Sequence, residues 1–238
     1  AVDHLRAGTT SVATTPAATI SGTMTSTTAA EEGFTADGTG DAGLEVVEET
    51  GRLLRDELGL TLEVLDLRDY FAGASGATTR DDRTRDERIH DERVCGAGTL
   101  QGALTQDDLE RYGAIWVRGG NVFVLRRAMQ RSGLDRALQS ASSRVGLLYG
   151  GYSAGACVLS PTLRGFHLVD DPSVNPYGGS DAVPWKGLGL LPFSFLPHVD
   201  SHHPESAAMA KVVSYCRSQG LPYRSFRDGE VLIRDRAF

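Results

Sequence analysis

The chain has 238 residues, 40% of them hydrophobic and 23% charged, and a formal net charge of −7. That length suits one large α/β domain or two small ones, and we read one domain over 1–238. The acidic balance excludes a general nucleic-acid binder, which needs a basic face, and no apolar run approaches the ~20 residues of a membrane span. The three cysteines, Cys95, Cys157 and Cys216, are odd in number and far apart, which suits a reducing compartment. No charged segment followed by an apolar one opens the chain, so the expected location is cytoplasmic.

Residues 1–42 are rich in Thr, Ala, Ser and Gly and yield little assignment. Ser11-Val12-Ala13 and Ala18-Thr19-Ile20 are strand candidates in a tract that would equally suit a flexible arm. Leu44, Val47, Leu54 and Leu58 follow helical spacing, with Gly59 as the cap, and Leu62 to Leu67 reads as a buried strand. Phe71 to Thr79 reads as loop. Arg80 to Arg93, RDDRTRDERIHDER, interleaves its charges and reads as a solvated segment. Thr105 with Asp108 resembles a capping box.

Ala114 to Val117 is the next strand, running through Arg118-Gly119-Gly120-Asn121 into a helix with Val122, Leu125 and Met129 on one face. Gly133 ends that helix, and Leu134 to Ala141 forms another. Val145 to Tyr149 is again a strand, followed by a helix from Ala154. This alternation predicts an α/β fold: a mostly parallel sheet flanked by helices. Pro161 to Pro184 reads as loop, Leu188–Leu191 and Phe193–Leu196 as short strand candidates, and Ala207–Cys216 as a buried helix closed by Gly220. Asp228-Gly229 signals a hairpin leading to a last strand, Val231-Leu232-Ile233.

Gly151-Tyr152-Ser153-Ala154-Gly155 is a G-x-S-x-G arrangement at a strand-to-helix turn. Such a turn lifts the Ser153 hydroxyl out of the sheet and aims the first helical N–H groups, Ala154 included, at what the serine attacks. A serine needs a base to become a nucleophile, and the base needs an orienting carboxylate. Among six histidines, His198 follows a short apolar segment and Pro197, as a residue at a strand end would. Asp170 and Asp171 stand between Ser153 and His198, and the sequence does not separate them. Gly119 and Gly120 end the neighbouring strand and offer backbone donors for an oxyanion. Asn121, His202, Arg118 and Arg164 are the candidates for contact with substrate, the arginines because an acidic side chain would need a cation.

Several of these segments together resemble the dipeptidase E and cyanophycinase family of serine peptidases. Ile115 to Phe123 is similar to that family's strand–GGN–helix segment and Gly151 to Ala156 to its serine turn. Leu188 to Pro192 and on to Pro197-His198 resembles its histidine segment, and Asp228-Gly229-Glu230 its late hairpin. The resemblance implies a flavodoxin-like sheet related to class I glutamine amidotransferases. It implies Ser153 as nucleophile, His198 as general base, an acid in the segment holding Asp170 and Asp171, and oxyanion donors at Gly120 and Ala154. No cofactor and no metal is implied. The family's opening strand is not recognisable in 1–42, 80–93 resembles an insertion, and Arg118 stands where small or apolar residues are usual.

The leading expectation is therefore a Ser-His-Asp peptidase acting on small peptides, with no nucleic-acid or membrane partner and with a homodimer allowed. An α/β-hydrolase-type esterase shares G-x-S-x-G, but here about 40 residues follow the histidine. A metal hydrolase would use His198-Val199-Asp200-Ser201-His202-His203, whose order matches no defined ligand pattern. A non-catalytic binding module on the same fold is the remaining alternative.

Overall fold

A computed structural model describes residues 17–20, 52, 55–56, 59–71, 102–141 and 147–234. The candidate strand at 11–13, the charged run 80–93 and Cys95 lie outside these residues. Of the helix expected over 44–58, Arg52, Arg55 and Asp56 are helical, and the Gly59 N–H closes its end on the Arg55 carbonyl at 2.9 Å.

Four short strands build a parallel sheet: β1 (Ala17–Ile20), β2 (Leu62–Leu65), β3 (Ala114–Val117) and β4 (Leu148–Gly151). Their order is β2-β1-β3-β4, so the strand from the unpromising N-terminal tract lies inside the sheet, with Ala17 opposite both Leu62 and Ala114. Parallel neighbours need crossovers, and helices supply them. Between β3 and β4 run α2 (Val122–Ser132) and α3 (Leu134–Ala141), preceded by the short α1 (Gln106–Leu109). Thr105 and Asp108 form the expected capping box, with the Thr105 N–H donating to Asp108 Oδ2 at 2.8 Å. Gly133 separates α2 from α3 in the left-handed conformation, at φ 81°, which a side chain resists.

Helix α2 is buried on nearly every side from Val122 to Met129, Arg126 and Arg127 included. It packs with α3 and with the 3-10 turn Leu67–Tyr70 into a core holding Leu67, Leu109, Ile115, Val117, Phe123, Leu125, Leu134 and Leu163. The arginines find their partners in the protein. Arg126 pairs with Asp135 at 3.0 Å and donates to the Lys186 carbonyl. Arg127 donates to the carbonyls of Asp181, Ala182 and Pro172, and Arg131 to Asp181 and the Tyr177 carbonyl. One helix thus pins the long loop after Pro161, which contains a 3-10 turn, Phe166–Leu168.

A second, two-stranded sheet pairs β5 (Ser194–Leu196) with β6 (Tyr223–Ser225), also parallel, bridged by α5 (Ser206–Ser218). This corrects the expected end of the chain. Asp228-Gly229 does turn, with the Glu230 N–H on the Arg227 carbonyl, but Val231 to Ile233 is not a strand. Val231 and Ile233 are 79% and 85% exposed, and the pairing falls to the residues before the turn. Leu188–Leu191 is likewise no strand, although Leu188 and Leu191 are buried and bond back to Val158 and Leu159.

Candidate active site

Strand β4 ends at Gly151 and helix α4 (Ala154–Cys157) begins at Ala154, leaving Tyr152 and Ser153 to make the turn. Ser153 has φ 50° and ψ −122°, a conformation costing of order 1–3 kcal/mol for a residue with a side chain. The glycines make it feasible. A Cβ on Gly155 would lie 2.2 Å from the Val117 carbonyl oxygen, and one on Gly151 would lie 3.0 Å from Gly155. The Tyr149 hydroxyl donates to the Gly155 carbonyl at 2.6 Å and ties strand to helix. Ala154, first in α4, has an N–H with no acceptor inside the helix.

Gly119 and Gly120 lie against this turn, as the sequence leads one to expect. A Cβ on Gly119 would meet the Ser153 Cβ at 3.0 Å and its Oγ at 3.4 Å, so only glycine lets the β3 loop approach so closely. Gly120 and Ser153 line one small cavity with Ala154, Asp170, Pro197 and Glu205, above an apolar floor that includes Val122, Phe166 and Met209.

His198 leaves the end of β5 at φ 61°. It, Ser153 and Asp200 (φ 52°) are the non-glycine residues with positive φ among the described residues. Strain concentrated in this way is common where function fixes the backbone. The parallel register sets Leu196 opposite Ser225, so the residues following each strand emerge on the same side. Phe195 stacks on Phe226 at 4.2 Å, and Asp228 arrives at the imidazole, Nδ1 to Oδ1 at 2.6 Å. The Asp228 N–H donates to Ser201 Oγ, which fixes the turn. His198 Nε2 is buried and has no hydrogen-bond partner among the described residues. No hydrogen bond joins Ser153 to His198 among them either. The His203 ring lies on His198, centroids 3.7 Å apart and planes 11° apart.

The carboxylate on the histidine is therefore Asp228, not Asp170 or Asp171. Asp170 serves α2 instead: its Oδ2 accepts from the Val122 N–H at 2.8 Å. Burial pushes its pKa up to about 7; the Val122 N–H opposes this and Glu205 adds to it. Asp171 is exposed and accepts from the Ser173 N–H and hydroxyl, which holds its pKa below the usual range.

Asn121 is also a structural residue here. It is 5% exposed, its Oδ1 caps α2 by accepting from Phe123 and Val124, and its amide donates to the Asp171 carbonyl. Arg118 follows β3 and is partly buried; Arg164 is exposed and lies over the Trp185 ring, 5.1 Å from its centroid. His202 is exposed. None of these three lines the cavity beside Ser153; Glu205, which the sequence reading passed over, does. A carboxylate four residues before a buried methionine carries no signal of its own.

A parallel α/β sheet with a strained serine at a strand-to-helix turn and a carboxylate-held histidine defines a hydrolase-type architecture. The sequence profile of peptidase family S51 matches residues 99–235, more than half of the chain, and the chain belongs to that family. A peptidase E of Streptomyces coelicolor is 33% identical over 129 residues, covering 52% of this chain and 49% of its own length. A Drosophila melanogaster protein named as an alpha-aspartyl dipeptidase is 31% identical over 121 residues, covering 49% of this chain and 47% of its own. The chain thus spans about half the length of these curated relatives. A crystal structure of a Listeria monocytogenes EGD-e protein described as a peptidase E superposes with TM-score 0.52 at 20% identity, covering 95% of this chain and 89% of the other. That likeness is one of fold.

Proposed function

We propose that the protein is a serine peptidase that hydrolyses small peptides, with Ser153 as nucleophile, His198 as general base and Asp228 as the orienting acid. The observation that carries this is the state of His198: Nδ1 is held by Asp228 at 2.6 Å, and Nε2 is buried without a partner among the described residues. An imidazole that donates through Nδ1 presents its lone pair at Nε2, the tautomer a general base needs. Ser153 Oγ attacks the peptide carbonyl as Nε2 takes its proton, and the imidazolium then protonates the leaving amine. Water enters, Nε2 activates it, and the acyl-serine is hydrolysed. The N–H groups of Gly120 and Ala154, with Gly119 beside them, are the oxyanion donors in this reading. In the reaction Ser153 and His198 come within hydrogen-bonding distance, a contact that in catalytic pairs often tightens only with substrate bound.

Family membership favours a peptidase over the esterase alternative, and the strained turn argues against a mere binding module. The strand order β2-β1-β3-β4 supports a flavodoxin-like, class I glutamine amidotransferase-like sheet, with Ser153 on a nucleophile elbow. The names of the relatives suggest dipeptides or, on the cyanophycinase side of the resemblance, β-linked aspartyl chains as substrates. Among the described residues the cavity lining contains Asp170 and Glu205 and neither lysine nor arginine. Carboxyl groups without a described cation beside them suit an ammonium group of the substrate near the scissile carbonyl better than an acidic side chain. No described helix is long and apolar enough to cross a membrane. A cytoplasmic site of action, a single domain and the absence of nucleic-acid partners complete the reading, which allows a homodimer. A dipeptide panel that includes alpha-aspartyl dipeptides, assayed with wild type and Ser153→Ala, tests it. Turnover vanishes in the variant; equal turnover in both overturns the proposal.

A further inference from the structure

The cluster His198-Val199-Asp200-Ser201-His202-His203 offers metal ligands, and the fold selects among them in a way the linear order does not suggest. Asp200 points away to Arg227, 3.9 Å off, and His202 is exposed. His198 and His203 are brought face to face instead, and Glu205 joins them; each offers one ligand atom, all within 4.8 Å of one another. His203 turns Nδ1 toward Glu205, accepting from its N–H at 3.2 Å and lying 4.0 Å from Oε2. Asp228 on Nδ1 of His198 is the outer carboxylate that metal-ligating histidines characteristically have, and it leaves Nε2 as the ligand atom. That nitrogen is buried and has no partner among the described residues.

We propose that His198, His203 and Glu205 form a binding site for a divalent transition metal, best matched by Zn2+, and that its occupancy shuts off hydrolysis. Two imidazoles and one carboxylate suit Zn2+ or Co2+ and disfavour Mg2+ and Ca2+, which take oxygen ligands. Glu205 also lines the cavity beside Ser153, which puts this ligand set next to the serine. A tetrahedral ion holds imidazoles inclined to each other at about 2.0–2.1 Å. Binding therefore tilts His203 out of its stack on His198; its side chain is 36% exposed and has room to move. Inhibition follows because the lone pair that coordinates the ion is the one that would accept the serine proton. The inhibitory half rests on the peptidase reading above; the binding half does not.

The test uses the purified chain, Co2+ as spectroscopic probe and calorimetric titration with Zn2+. One ion binds per chain, and Co2+ gives the intense visible bands of a four-coordinate site. His203→Ala and Glu205→Gln each weaken Zn2+ binding by at least about tenfold, the least that losing even a supporting group costs such a site. His202→Ala leaves it unchanged. Zn2+ stops dipeptide turnover and a chelator restores it. Undiminished affinity in both His203→Ala and Glu205→Gln, with circular dichroism confirming their fold, overturns the site. Tight binding at this site with turnover unaffected overturns the inhibitory role. Protein that cleaves no peptide when metal-free, yet gives the Co2+ bands once Co2+ is added, overturns the peptidase reading and leaves the metal site standing.

Discussion

Asp228 and Asp170 are the same side chain in opposite settings. Asp228 is 47% exposed and holds the His198 imidazole from a solvated position. Asp228→Asn lowers kcat by about 10²–10⁴-fold, the scale on which loss of the orienting acid acts, measured with the best dipeptide of the panel. Asp170 holds its proton up to about pH 7 in the folded chain, against about 4 when unfolded. The folded state then binds the extra proton between those values, so stability falls as pH rises from about 4 to 7. Asp170→Asn keeps an oxygen for the Val122 N–H and removes the titration. It gains about 1–3 kcal/mol at pH 8 relative to its effect at pH 4, read from urea melts at the two values.

At the scale of elements, the serine turn depends on backbone contact. Gly155→Ala forces a methyl against the Val117 carbonyl, which cannot swing aside, and costs at least about 3 kcal/mol in a thermal melt. Asn121→Ala removes the acceptor for two N–H groups of α2 and costs about 1–2 kcal/mol. Much of this element-level design is legible in the sequence. Glycines on both sides of Ser153, the capping pair Thr105 and Asp108, and Gly133 after Ser132 each have a local physical meaning. The pairing of Asp228 with His198 is not legible. Asp-Gly satisfies turn chemistry whatever lies across from it, and the register of β5 on β6 is set by parallel packing around α5. Asn121 misleads for a related reason: a polar residue beside two glycines suggests substrate contact, while burial assigns it to capping a helix.

Across the whole molecule, the arginines of α2 connect the sheet to the loop that carries Asp170. In sequence they look like the solvated side of a helix; in the fold Arg127 satisfies three loop carbonyls at once. Arg127→Leu leaves those carbonyls to water and loosens the loop. Protease cleavage between residues 172 and 182 accelerates in limited digestion, while the core represented by Ile115 and Phe123 stays protected. The N-terminal tract is the least legible part: Ala18 to Ile20 is a strand candidate and does form β1, but so short a pattern does not reveal that it lies inside the sheet.

That strand sits between β2 and β3, and Ala17 finds its second neighbour only at Ala114. During synthesis, β1 therefore leaves the ribosome long before the partner that covers its other edge exists. The sheet closes late, after nearly half the chain has emerged, and its assembly is set by a long-distance encounter rather than by local nucleation. A nascent chain halted before residue 114 exposes a bare strand edge, a natural target for chaperone capture.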